Sequence, residues 1–268
     1  MSWLISVSLA ALFLFLMMTV LWFIARRIDN YALVDVGWSY SFAAVMVIYL
    51  LLNGIDGQRS LVLGLLVVIW SLRLGTHLYL NRIRGKPEEG RYQTLRQKWH
   101  KNPARSFFIF YQAQAISVVF LATPFLLVVL DPQQKLGLLE FIALGIAVVS
   151  VVGESISDLQ LQRFIARPDS KGKVCNVGLW RWSRHPNYFF ESLIWLAFAL
   201  FALPAPMGWL GLVSPLIIWY LIINVTGIPP TEAQCLKSRG DAYRAYQKQV
   251  SAFFPMPPKS MDKSPASI

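Results

Sequence analysis

Residues 3–25 read WLISVSLAALFLFLMMTVLWFIA, an uncharged apolar run followed by Arg26 and Arg27. A bilayer core about 30 Å thick takes about 20 mostly apolar residues wound as a helix, so this stretch predicts a membrane span. No small-residue cleavage site precedes the two arginines, and the span is expected to be retained instead of removed as a signal peptide. Outward from it the pattern recurs over about residues 32–53, 60–80, 106–130, from 136 onward, 187–203 and 208–227. The fifth of these segments grades into the polar stretch from Glu154 to Arg167. Its roughly 31 residues make a helix of about 46 Å, so its C-terminal end is expected to project beyond the hydrocarbon. Pro204 and Pro206 mark the turn between the last two. The expected fold is all-α, a polytopic membrane protein with seven transmembrane helices.

Composition points the same way. Of the 268 residues 56% are hydrophobic and 15% charged, against roughly 25% charged in a soluble domain. A disordered chain is excluded and a soluble globule is not expected. The net charge of +11 would suggest nucleic acid on a soluble protein, but here the cations lie between apolar runs and read as topology charge, so no nucleic-acid partner is expected. Residues 81–105 carry Arg82, Arg84, Lys86, Arg91, Arg96, Lys98, Lys101 and Arg105, residues 167–185 carry five more, and the tail after 230 is again basic. The alternate connections, Asn53 to Arg59, Asp131 to Lys135 and Pro204 to Gly208, are nearly free of cations. The positive-inside rule then sets the N-terminus outside and the C-terminus in the cytosol. One integral membrane domain is expected, ending in a flexible tail over residues 259–268. Cys175 and Cys235 are too few for a disulfide framework, lie in segments placed in the cytosol, and are expected as reduced thiols; no metal site is expected.

Ionisable groups at membrane depth are costly and mark functional hypotheses. Asp35, Arg73, His77, Glu154, Asp158 and Glu191 all fall toward the cytosolic ends of their segments, which suggests a cavity open to that side; the plainer alternative is a set of interfacial residues paired with loop charges. Arg73 and His77 share a helix face at i, i+4, with Tyr79 just beyond, where a belt tyrosine would also be at home. Glu154, Asp158 and Gln162 stack at i, i+4, i+8, with Arg163 and Arg167 beside them. Acids and arginine forks at an aqueous mouth suit a ligand bearing hydroxyls and phosphates. The most specific string is Trp180-Arg-Trp-Ser-Arg-His-Pro-Asn-Tyr-Phe-Phe-Glu191. Pro186 suits the first turn of a helix, and rings, arginines and a helix N-terminus together can stack a base and hold phosphate.

Ser183 to Glu191, Ser157-Asp158 with Gln162 and Arg163, and the tail from Glu232 to Gly240 through Tyr243 and Tyr246 resemble the steroid 5α-reductases, specifically the bacterial members of that membrane reductase superfamily, with sterol C14-reductases as relatives. The likeness covers the C-terminal half; the N-terminal half matches through the acidic second helix and the segment from Thr76 to Arg84. It implies a seven-helix enzyme of a bacterial inner membrane, facing the cytoplasm and acting as a monomer, that uses NADPH to saturate a carbon–carbon double bond conjugated to a ketone. The substrate would be a steroid, typically a 3-oxo-Δ4-steroid, or another lipid enone. It further implies that Asp35 and Tyr79 bind the substrate carbonyl, and that NADPH is held by Asp158, Arg163, Asn187 and Glu191, with Arg84, Arg91, Arg167, Trp182, Arg184, His185, Tyr188 and Lys237. On this reading residues 1–130 form the substrate side and 131–258 the cofactor side. Glu154 stands where the eukaryotic steroid enzymes have asparagine, and Cys235 where they have histidine.

No Rossmann glycine fingerprint is present, so the cofactor would be held by membrane helices and loops. Two other classes compete. Membrane isoprenylcysteine and phospholipid methyltransferases, which use S-adenosylmethionine, share an Arg-His-Pro-x-Tyr string and a Glu/Tyr-rich tail, but that reading leaves Asp35, Arg73 and Tyr79 without a role. A non-catalytic transporter or receptor would show broken helices or a paired repeat, and the sequence shows neither.

Overall fold

The computed structural model describes residues 2–55 and 57–259; all but the first residue of the tail expected at 259–268 lies outside the described residues. The described residues form helices and no strand, with one isolated bridge between Ser183 and Ser251. In chain order the α-helices are α1 (Trp3–Arg27), α2 (Leu33–Asn53), α3 (Gln58–Leu78), α4 (Gly90–Lys98), α5 (Pro103–Leu121), α6 (Thr123–Leu130), α7 (Leu138–Ile165), α8 (Pro186–Ala202), α9 (Val213–Tyr220) and α10 (Ile228–Gln249).

Among the described residues, six helical stretches are long and apolar enough to cross a membrane: α1, α2, Gln58–Ile83, Pro103–Leu130, α7 and Gly208–Gln249. The expected sixth span is present as α8, apolar but only 17 residues long. Leu12, Leu16, Leu65, Phe141 and Val148 are all exposed. Apolar side chains turned outward along several helices would be a liability in water and are the natural face toward lipid.

The expected fourth span is broken. Pro124 has no N–H to give and its ring collides with the carbonyl four residues back, so the helix ends at Leu121 and restarts at Thr123. The freed carbonyl of Phe120 accepts from Thr123 Oγ1 at 2.6 Å. At the start of this span Asn102 caps α5, its side chain accepting from Arg105 N, with Pro103 in the first turn. The expected third span runs past α3 into a π-helical turn, Tyr79–Ile83, closed by the bond from Arg84 N to Tyr79 O. A second π-helical turn, Leu221–Val225, precedes α10.

The chain divides into two compact units, Met1–Leu144 with Phe198–Ser214, and Gly145–Ala197 with Pro215–Ile268. In the first unit α2 is central, packing on α1, α3, α5 and α6. Its core is aromatic, with Phe42 beside Trp70 (5.5 Å between centroids) and Phe125 against Phe198 (5.1 Å). Ser71 Oγ ties α3 to α2 by donating to Ser39 O at 2.6 Å and accepting from Ala43 N. At the start of α3, Arg59 is wholly buried and joins two acids. It pairs with Asp131 and with Glu140 (2.7 Å), and it donates to Phe201 O at 3.0 Å.

In the second unit the loop 178–185 is folded against α7: Trp180 Nε1 donates to Ser157 O at 2.9 Å, and Leu179 N to Gln160 Oε1. Gly178 makes this approach possible. Its φ of +56° favours glycine, and a Cβ there would lie 2.3 Å from Gln160 Nε2. The chain after α10 returns to the same loop, with Met256 N bonding Trp182 O and Ser183 Oγ donating to Phe253 O.

Candidate functional site

Polar side chains gather in both units. In the first unit the centre is Asp35, in the opening turn of α2. Its Oδ1 accepts a 2.6 Å hydrogen bond from Tyr92, and Arg82 Nη1 lies 3.5 Å from its Oδ2 and 3.2 Å from Glu89. Tyr92 belongs to α4, a short, polar and charged helix, and it is that helix's one buried residue. Burial, together with the negative charge of Asp35, pushes the Tyr92 phenol well above its usual range. The segment around α4 is fastened by Glu88, which pairs with Arg96 through both oxygens at 3.0 Å and accepts from Tyr31 N at 2.8 Å.

Tyr79 opens the π-helical turn and is 42% exposed. Among the described residues its side chain makes no hydrogen bond, and the phenol on Asp35 is that of Tyr92. Arg84 is exposed, while Arg91 lies over the Tyr92 ring at 5.6 Å. Asn81 Nδ2 donates to His77 O at 2.7 Å, in the same turn.

In the second unit α7 carries Glu154 and Asp158, both buried. α8 begins at Pro186, as the proline predicts, and Asn187 Nδ2 reaches Asp158 Oδ1 at 3.5 Å. One turn on, Glu191 Oε1 accepts from Trp195 Nε1 at 2.9 Å. The structure therefore brings Asp158 and Asn187 together. Arg163, Arg167 and Lys237 are exposed, and among the described residues none is in an ion pair; the Trp182 indole is 45% exposed.

Arg184 and His185 are held differently. Arg184 Nε lies 2.6 Å from Glu232 Oε1, and its Nη1 donates to the carbonyls of Gln247 and Val250. His185 Nε2 is 3.3 Å from the same Glu232 oxygen and its ring stacks on Tyr188, whose hydroxyl meets Thr231. Burial pushes the Glu232 carboxyl up, but hydrogen bonds from His185 and Arg184, with the Arg184 charge and Gln247, hold it down at about 2. Cys235 is a free thiol raised by burial, 3.2 Å from Arg239 Nη1.

Two residues of these centres, Tyr92 and Glu232, were not singled out from the sequence. For Tyr92 the signal is a tyrosine directly after Arg91 in a loop otherwise dense in charge. For Glu232 it is an acid set just after Pro229-Pro230, where a helix starts. An open apolar groove of about 420 Å³ runs along α7 from Val149 to Gln160 beside Phe190, and no predicted site residue lines it. Among the described residues no group of three or more His, Cys, Asp or Glu is placed to hold a metal ion.

Among the described residues, fold and centres together define an all-helical, multi-pass membrane protein with a buried carboxylate at Asp158 and half-buried ones at Asp35 and Glu232. The chain belongs to the family described as a protein of unknown function (DUF1295), which matches residues 21–250. It is similar to an uncharacterized protein, C594.04c, of Schizosaccharomyces pombe strain 972, with 28% identity over 275 residues, covering 90% of this chain and 77% of that one. No solved structure matches the chain.

Proposed function

We propose that the protein is an NADPH-dependent reductase of a carbon–carbon double bond conjugated to a ketone in a lipid, of the steroid 5α-reductase type, with a 3-oxo-Δ4-steroid as the model substrate. In this reading the chain crosses a bacterial inner membrane seven times as a monomer, α8 being a short span. At about 1.5 Å per residue its 17 residues reach about 26 Å, a deficit that local thinning of the bilayer absorbs at modest cost. The basic loops put the N-terminus outside, the C-terminus inside and the reaction at the cytoplasmic face.

The observation that carries the reading is the contact of Asp158 with Asn187, which joins two residues that the reductase resemblance assigns to one cofactor. The residues present fit NADPH. Exposed Arg163, Arg167 and Lys237 are cations available to phosphates, and the Trp182 face is available to a ring. Asn187 offers both a donor and an acceptor, with Glu191 on the same helix face, as a carboxamide needs. Arg184 and His185, engaged by Glu232, hold the loop in place and leave the phosphates to the exposed cations. When bound, NADPH supplies a hydride for the β-carbon of the enone. Tyr79 then donates a hydrogen bond to the substrate carbonyl oxygen, where negative charge collects, and Asp35 orients the groups around it. Solvent protonates the α-carbon.

Purified protein titrated with NADPH, NADH and S-adenosylmethionine in a thermal-shift assay, followed by NADPH consumption with a set of lipid enones, tests the reading. Stabilisation by NADPH above NADH and enone-dependent consumption are expected. Stabilisation by S-adenosylmethionine alone would instead make it a membrane methyltransferase.

A further inference from the structure

We propose that Tyr92 is a positioning residue for Asp35: its hydroxyl, delivered by α4, fixes the carboxylate that orients the carbonyl-binding centre. The inference rests on the enone-reductase reading of Asp35 and Tyr79. α4 is nine residues long, and it buries one side chain. That side chain is fully enclosed, with Phe107 and Phe110 centroids 6.5 and 6.4 Å from its ring. A buried phenol must find an acceptor or forfeit its hydrogen bond. Tyr92 finds Asp35 at 2.6 Å, within the short range of bonds to carboxylates.

The fork of Arg96 on Glu88, and the bond from Tyr31 N to the same acid, fasten α4 next to the start of α2. A loop serving only to carry topology charge would not need this. The other carboxylate oxygen is approached by Arg82 at 3.5 Å, from the π-helical turn that also carries Tyr79. Segment 79–98 thus closes on Asp35 from two sides, with Tyr92 holding Oδ1 and both oxygens left with acceptor capacity to spare. Held this way, Asp35 accepts and orients; the hydrogen bond to a substrate carbonyl comes from a neighbouring donor.

The test is full-length Tyr92→Phe in detergent, read in two ways. The infrared carboxyl band of Asp35, identified by its loss in Asp35→Asn, should move in Tyr92→Phe. It should move the opposite way when 3-fluorotyrosine replaces Tyr92, a change that keeps the ring in place and strengthens the bond. Enone turnover in Tyr92→Phe should fall about tenfold, the effect of one lost charge-assisted hydrogen bond, with the KM for NADPH unchanged. An unmoved band, or unchanged turnover beside a lowered melting temperature, reduces Tyr92 to a packing residue and overturns the proposal even in an active reductase. A wild-type protein that stabilises on NADPH yet reduces no enone overturns the reaction assignment itself, whichever way the band moves.

Discussion

Glu232 and Arg184, 48 positions apart in the chain, meet at 2.6 Å, and through that pair the N-terminal part of α10 holds the loop that leads into α8. His185, Tyr243 and Gln247 converge on the same carboxylate. The carboxylate is thus the knot of the Arg-His-Pro-Asn loop, and the tail is part of that loop's foundation.

Removing the knot should therefore be costly. Glu232→Ala strands the donors of Arg184 and Gln247, and we expect a loss on the order of 2 kcal/mol. Tryptophan fluorescence during thermal unfolding in detergent would report it. A melting temperature equal to wild type would show that backbone contacts alone hold the loop.

The same group sets an acid dependence. The Glu232 carboxyl titrates at about 2 in the fold against an ordinary 4.5, so its stabilisation is complete above the ordinary value and is lost as pH falls through the window between the two. Unfolding midpoints followed from about pH 6 to about pH 3 should drop in the wild type. In Glu232→Gln that part of the acid limb should flatten, and equal acid sensitivity in both proteins would assign it to other carboxyls.

Arg59 is the more severe position. Arg59→Met leaves Asp131 and Glu140 buried side by side without their cation, an arrangement worth about 3–5 kcal/mol of destabilisation. Adding Asp131→Asn and Glu140→Gln should restore most of the loss. If the single variant yields normal amounts of stable protein, the triad does not hold this end of the first unit together.

Two glycines should behave oppositely. Gly178→Ala forces an L-residue into positive φ and a Cβ into Gln160, which we expect to cost at least 1–2 kcal/mol, roughly the strain of one such residue. Gly145→Ala, in α7 with open space around its Cβ, should be neutral or stabilising by up to about 1 kcal/mol. Melting temperatures of the pair decide whether the 178–185 loop sits on α7 as tightly as its bonds indicate.

For the reaction, Tyr79→Phe should lower turnover on the order of 10² to 10³-fold, the effect of losing one donor to a developing oxyanion, with NADPH affinity intact. Arg163→Ala and Arg167→Ala should do the reverse, weakening NADPH binding more than turnover at saturation. Glu191→Gln should keep the fold and slow hydride transfer. A Tyr79→Phe enzyme within a few-fold of wild type would leave Tyr79 as an interfacial anchor.

What the sequence determined by itself was the class and course of the chain. Apolar runs of about 20 residues can form only helices at membrane depth, because every backbone group must be satisfied within its own segment, and the starts of α2, α3 and α8 follow from local composition. Pro186 marked the beginning of α8 for a local reason, its fixed φ. Pro124 lay inside an apolar run whose hydropathy hid the break. Tertiary structure alone decided which polar groups meet. Arg184 and His185 look like phosphate ligands in the string, yet an acid 48 and 47 positions away takes them. Asp35 finds its phenol in Tyr92, 57 positions on. Arg59 and Asp131 sit in what reads as sparsely charged connections and prove to be buried partners. Hydrophobic periodicity is a property of neighbours in the chain, whereas a hydrogen bond between distant side chains depends on how helices pack, and that information is spread over the whole sequence.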